Sequence, residues 1–107
     1  MQRGDLITVA LQGDAGKPRP ALVMQADYFA NLPTLVVLPL TTTILDLPLV
    51  RVTVEPSEAT GLWELSQVMI SRPQFLLRAK AGPVIGRLNV TALLDVTRRL
   101  AVLLGIG

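Results

Sequence analysis

Between Asp5 and Leu88 the apolar residues of this chain fall into short runs, β-branched or alternating, and the runs stop at prolines, glycines or polar turns. Only after Asn89 does a helical period set in. Runs this short read as strands that must pair with one another. "DLITVAL" (Asp5–Leu11) is the first, closed by "QGDAGKP". "RPALVMQ" (Arg19–Gln25) is the second, and Pro20 marks its start as an edge, because proline cannot donate to a central ladder. "DYFANLPT" reads as a turn with a single helical turn in it. "LVVLPL" (Leu35–Leu40), apolar on both faces, reads as a central strand.

Further on, "LPLVRVTVEP" (Leu47–Pro56) alternates through Val50, Val52 and Val54 as a half-buried strand does, and "SEATG" is a loop. "LWELSQVMIS" (Leu62–Ser71) alternates again, with Trp63, Leu65, Gln67 and Met69 on one register and Leu62, Glu64, Ser66 and Val68 on the other. "RPQFLLRAKAGPVIGRL" mixes short apolar pieces with Gly and Pro, so it is read as irregular with a last strand near Val84–Leu88. Asn89 then caps "VTALLDVTRRLAVLLG", where Leu93, Val96 or Thr97, Leu100 and Leu104 form one stripe and Gly105 ends the helix. Five or six short strands and one C-terminal helix in 107 residues imply a small, strongly curved antiparallel sheet or partial barrel. The helix would cover one open side, and residues 1–107 would form a single domain.

Composition then removes whole classes of chemistry. There is no cysteine and no histidine, so disulfide frameworks, thiolate sites, histidine zinc sites and Ser-His-Asp triads are all excluded. The carboxylates are scattered, and no metal or cofactor is expected. Half the residues are apolar and the mean hydropathy is +0.51, yet no run approaches the roughly 20 residues of a membrane helix. The start "MQRGDLITVAL" carries charges where a signal peptide is apolar, so a soluble cytoplasmic protein is expected. The apolar surplus suggests that a partner covers part of the surface. Net charge is only +2, but the cations are eight Arg against two Lys, and arginine suits bidentate phosphate contacts.

Arg19, held between Pro18 and Pro20 at the mouth of the second strand, and the hydroxyl run Thr41–Thr43 after the third are the most unusual local features. Each has an ordinary reading beside the functional one. Arg19 reads equally as a solvated loop charge, and Thr41–Thr43 as a polar turn capping local backbone. Ser66 and Gln67 fit the polar register of a half-buried strand, and Trp63 fits a core or dimer-interface position. Arg98 and Arg99 follow Asp95 at helical spacing and read as a solvated face.

Taken in order, "RGDLITVAL", "GKPRPALVMQAD", "VVLPLTTT", "LSQVMIS", "GRLN" and the terminal amphipathic helix resemble the MazF/PemK family of toxin endoribonucleases along nearly the whole chain. The resemblance implies an SH3-like small barrel, mainly β with a C-terminal helix. It implies catalytic roles for Arg19 and Thr41, with RNA contacts by Lys17, Thr42, Thr43, Glu64, Ser66 and Gln67. It further implies a type II toxin–antitoxin system, single-stranded RNA as substrate, a homodimer, and an inhibitory antitoxin with an acidic segment. The sequence departs from the family where Ser66 replaces an Asp and Met69 a basic residue. Glu64, two residues before Ser66 on the expected strand, would share its face and could stand in for the missing acid. Asp14, Glu64 and Tyr28 are the open choices for the proton acceptor. Two alternatives share the fold. A CcdB-like gyrase poison relies on aromatic residues in its last helix, whereas this chain ends "LAVLLGIG". A degenerate member would bind without cleaving, a reading kept open by Ser66.

Overall fold

The computed structural model describes residues 1–10 and 17–107. The strands are β1 (Asp5–Val9), β2 (Arg19–Val23), β3 (Thr34–Thr41), β4 (Arg51–Val54), β5 (Ser66–Met69), β6 (Gln74–Leu77) and β7 (Val84–Arg87), followed by helix α1 (Val90–Leu103). All pairings are antiparallel, in the order β4-β5-β3-β2-β1-β7, with β6 also on β3. This is the curved half-barrel with a C-terminal helix that the strand pattern predicts.

The centre is β3. Its first half pairs with β6 and its last two residues with β5, both along the edge opposite β2. Pro39 stands just where the partner changes. A residue with no N–H to donate suits a position where the strand passes from one ladder to another. Because β1–β3 bury both faces, the core has two parts. One lies between sheet and helix and contains Leu6, Leu22, Leu38, Leu40, Val68, Ile70 and Val96. The other, on the opposite face, contains Ile7, Val9, Ala21, Val23, Leu35 and Val37. Val96 is the fully buried residue of the helix stripe, and burying such a side chain is worth about 1.5–3 kcal/mol.

Polar anchors hold the chain ends to this frame. The Asn89 side chain accepts from the Ala92 N–H at 2.8 Å, so the helix starts where the sequence says it should. The Arg3-Gly4-Asp5 opening is also structural. Arg87 Nη1 donates to Asp5 Oδ1 at 2.6 Å across β1 and β7, and the Arg3 guanidinium donates to the Thr97 hydroxyl on α1.

Several expectations are corrected. β2 ends at Val23, because the Gln25 side chain takes over the backbone's role: its Nε2 donates to the carbonyls of Phe29 and Thr34, and its Oε1 accepts from the Val36 N–H. β4 begins only at Arg51, since Leu47–Val50 closes a turn through the Val50 N–H and the Leu47 carbonyl. β5 is four residues long, because Trp63 and Glu64 form a bend before it. Trp63 is 96% exposed and has no place in the core. The stretch read as irregular contains β6, whose Phe75 and Leu77 face outward while Leu76 packs inward. At the other end of the helix stripe, Leu104 is exposed.

Candidate functional site

The register of three ladders sets four side chains in one row. Ala21 faces Pro39 across β2 and β3, and counting two residues outward puts Arg19 opposite Thr41. Thr41 faces Gln67 in the next ladder, and Gln67 faces Thr53 in the one after. Residues paired in this way share a face of the sheet. The neighbouring row, Leu40, Val68 and Val52, points the other way, into the core beneath α1. Arg19, Thr41, Gln67 and Thr53 therefore stand on the face opposite that core row.

At the Arg19–Thr41 end of this row the surface opens into a cleft of about 450 Å³. Arg19 and Pro20 form one wall and Thr41, Thr42, Thr43 and Leu45 another. Arg51, Ser66, Met69 and Arg72 also line it. The fixed φ of Pro18 and Pro20 stiffens the backbone that presents Arg19. β3 ends at Thr41, so the three threonines follow the ladder out into solvent. The Thr43 N–H donates to Thr41 Oγ1 at 3.1 Å, closing a tight turn through the hydroxyl.

Among the described residues, three guanidiniums line this cleft and no carboxylate does. The ion pairs found among the described residues, Arg87–Asp5 and Arg99–Asp95, involve none of the residues that line it. Such a site attracts anions. Its hydroxyls and planar N–H forks match the geometry of a phosphodiester, whose non-bridging oxygens accept parallel hydrogen bonds. Among the described residues no group of acidic side chains could hold a metal ion.

Of the residues singled out from sequence, Arg19, Thr41, Thr42, Thr43 and Ser66 meet in the cleft. Lys17, Glu64 and Gln67 do not line it. Lys17 is exposed just before β2. Glu64 precedes β5 rather than lying in it, so the face-sharing expected with Ser66 does not form; instead the Ser66 hydroxyl donates to the Glu64 carbonyl at 2.9 Å. Gln67 is buried, and its amide is engaged within the protein. Tyr28 is exposed in the turn after β2, outside the cleft. Asp14 lies outside the described residues.

Arg51 and Arg72 are the charged cleft residues that the sequence reading did not single out. Arg51 was within reach: with Val52 and Val54 inward, Arg51 and Thr53 are the outward register of the same strand. Arg72 follows β5 in a turn and carried no comparable signal, although it returns to the cleft a positive charge that Met69 lacks.

The sequence profile of PemK-like, MazF-like toxins of type II toxin–antitoxin systems matches residues 2–104. The chain is 41% identical to a probable endoribonuclease MazF of Mycolicibacterium smegmatis, covering 100% of this chain and 99% of that one. Among solved structures it is similar to a mycobacterial endoribonuclease in complex with its cognate antitoxin, with TM-score 0.84, 21% identity, and coverage of 100% and 97% of the two chains. A MazE–MazF crystal structure from Deinococcus radiodurans matches with TM-score 0.78, 25% identity, and coverage of 100% and 97%.

Proposed function

Because the chain belongs to the PemK-like, MazF-like family of toxins of type II toxin–antitoxin systems, we propose that it is a metal-independent endoribonuclease that cuts single-stranded RNA, with Arg19 and Thr41 gripping the scissile phosphate. The observation that carries this reading is that these two side chains line one cleft, which among the described residues has three guanidiniums and no carboxylate.

The reaction needs no external water. The ribose 2′-oxygen attacks the adjacent phosphorus, the bond from phosphorus to the 5′-oxygen breaks, and a 2′,3′-cyclic phosphate and a 5′-hydroxyl are left. The proton of the 2′-hydroxyl passes to a base or to solvent, and the departing 5′-oxygen takes one up. DNA, which lacks the 2′-hydroxyl, is spared. Negative charge builds on the non-bridging oxygens, where the Arg19 fork can meet two of them at once. Arginine stays protonated in proteins, so Arg19 stabilises charge and does not act as the base. The Thr41 hydroxyl donates to the same phosphate. Thr42 and Thr43 contact the RNA from the cleft walls and Lys17 adds charge outside it, while Ser66 borders the cleft with its hydroxyl donated to the Glu64 carbonyl.

The test is incubation of the purified protein with single-stranded RNA in EDTA. The expected result is cleavage leaving cyclic phosphate ends; a requirement for added divalent metal, or no cleavage at all, overturns the proposal. A pH series adds a second check. With no histidine in the chain, no side chain has an ordinary pKa near 6.5. The rate profile from pH 6 to 8 should therefore show no inflection, and a bell centred in that window would count against the mechanism.

The chain would act as a homodimer in the cytoplasm, inhibited by an antitoxin whose acidic segment occupies the arginine-lined cleft. Support for the dimer comes from an apolar groove of about 380 Å³ between Leu49–Val50 and the helix residues Val102 and Leu103. Leu49 is 80% exposed and Val102 68% exposed. Such large apolar side chains grouped at one groove suit burial against a second copy. Leu49→Asp combined with Val102→Asp should give a folded monomer in sedimentation, and an unchanged sedimentation coefficient would remove this surface from the interface.

A further inference from the structure

Gln67 is 4% exposed, and its amide is saturated from within the chain. Its Oε1 accepts from the Leu45 N–H at 3.1 Å and from Arg51 Nη1 at 2.9 Å. Its Nε2 donates to the Leu45 carbonyl at 3.1 Å and to Thr53 Oγ1 at 3.2 Å. A primary amide offers two donors and two acceptor positions, so nothing remains with which to read a base.

The partners matter more than the count. With Leu45 the side chain makes the two-way bond that a neighbouring strand would make, although β3 has already ended at Thr41 and β4 does not begin until Arg51. Gln67 thus acts as a substitute strand for a segment that has left the ladder. Arg51 carries the constraint further: the same Nη1 donates to the Thr43 carbonyl at 3.1 Å. The Thr43 N–H in turn donates to Thr41 Oγ1. A hydroxyl oxygen that accepts on one lone pair must send its own hydrogen elsewhere, and Thr41 borders the cleft.

We propose that Gln67 is the positioning residue of the site: through Leu45 and Arg51 it holds the Thr41–Leu45 turn so that the Thr41 hydroxyl and the Arg51 guanidinium face the phosphate that Arg19 grips. This rests on the RNA-cleaving reading above. It gives Gln67 a role different from the direct RNA contact expected from the resemblance. Holding a donor within a fraction of an ångström is what such a clamp contributes, and its loss is felt in the chemical step rather than in binding.

Two variants test it. Gln67→Met keeps the volume and removes all four hydrogen bonds. Gln67→Glu keeps oxygen acceptors for Leu45 and Arg51 and loses both donations. In single-turnover and steady-state cleavage, Gln67→Met should lower kcat roughly 10- to 100-fold while KM and sequence preference stay put, and Gln67→Glu should recover part of the loss. Amide hydrogen exchange, which needs no RNA, should quicken roughly tenfold or more at Thr43 and Leu45 in Gln67→Met, with the β1 and β2 amides unchanged. A raised KM or a relaxed base preference with kcat retained would make Gln67 an RNA reader and overturn the proposal. Uniform acceleration of exchange across the sheet would make it an ordinary core residue, with the same consequence. If wild type cuts no RNA, the functional reading falls, while the exchange measurement still decides whether the clamp exists.

Discussion

Arg19→Ala is expected to lower RNA cleavage by roughly 10²- to 10³-fold, the loss typical of a single preorganised donor to a developing oxyanion, or about 2.7–4 kcal/mol. Stability should hardly change, because Arg19 is exposed at the first position of β2 and its removal unburies nothing. The two measurements together are diagnostic: cleavage falls while the melting temperature stays within a degree or two. Arg19→Lys should remain well below wild type, because an ammonium is a point charge and cannot bridge two phosphate oxygens in parallel. If Arg19→Ala cuts RNA at the wild-type rate, Arg19 is only a solvated charge, and the cleft must be assigned to Arg51 and Arg72 instead.

The second large effect is on folding and lies in β7, whose residues do not line the cleft. Gly86 in β7 runs against the loop before Gly61 so closely that a Cβ there would sit 2.2 Å from the carbonyl carbon and oxygen of Thr60 and 2.6 Å from the Ala59 oxygen. Those are backbone atoms, and they are fastened. The Arg87 N–H donates to the Ala59 carbonyl at 2.8 Å, Ser57 and Thr60 exchange side-chain and backbone hydrogen bonds, and the Gly61 N–H donates to the Ser57 carbonyl. Neither strand nor loop can yield without losing these bonds. Gly86→Ala should therefore cost about 3 kcal/mol, at the upper end for overpacking, and lower the melting temperature by roughly 15 °C. Gly105→Ala is the control: nothing lies within 4 Å of the added methyl, and only its φ of +77° is strained, so about 1 kcal/mol is expected. Equal melting temperatures for the two variants would show that the β7 approach relaxes freely.

Both effects follow from features of different legibility. The "GRLN" motif was visible as a family resemblance, but the reason for its glycine was not, because the atoms it avoids belong to Ala59 and Thr60, far away in sequence. Arg19 and Thr41 could be marked as unusual, and the register makes them neighbours. The polar–apolar alternation of β4 contained Arg51 in plain view, yet alternation says only that a residue faces away from the core, not what it faces. Gln67 shows the opposite failure. The resemblance implied an RNA contact, while burial and four internal hydrogen bonds tie its amide into the frame.

Local chemistry was enough to settle the kind of fold. Short β-branched runs must pair as strands, an Asn89 cap and a 3.6-residue stripe must form the closing helix, and the absence of histidine and cysteine narrows the chemistry to arginine, lysine, carboxylates and hydroxyls. Where β5 begins, whether Gln74–Leu77 pairs, and which cations share a cleft were decided by tertiary structure alone. Strand pairing and cleft formation depend on residues brought together across long stretches of chain, and a one-residue slip between β2 and β3 would put Arg19 and Thr41 on opposite faces of the sheet.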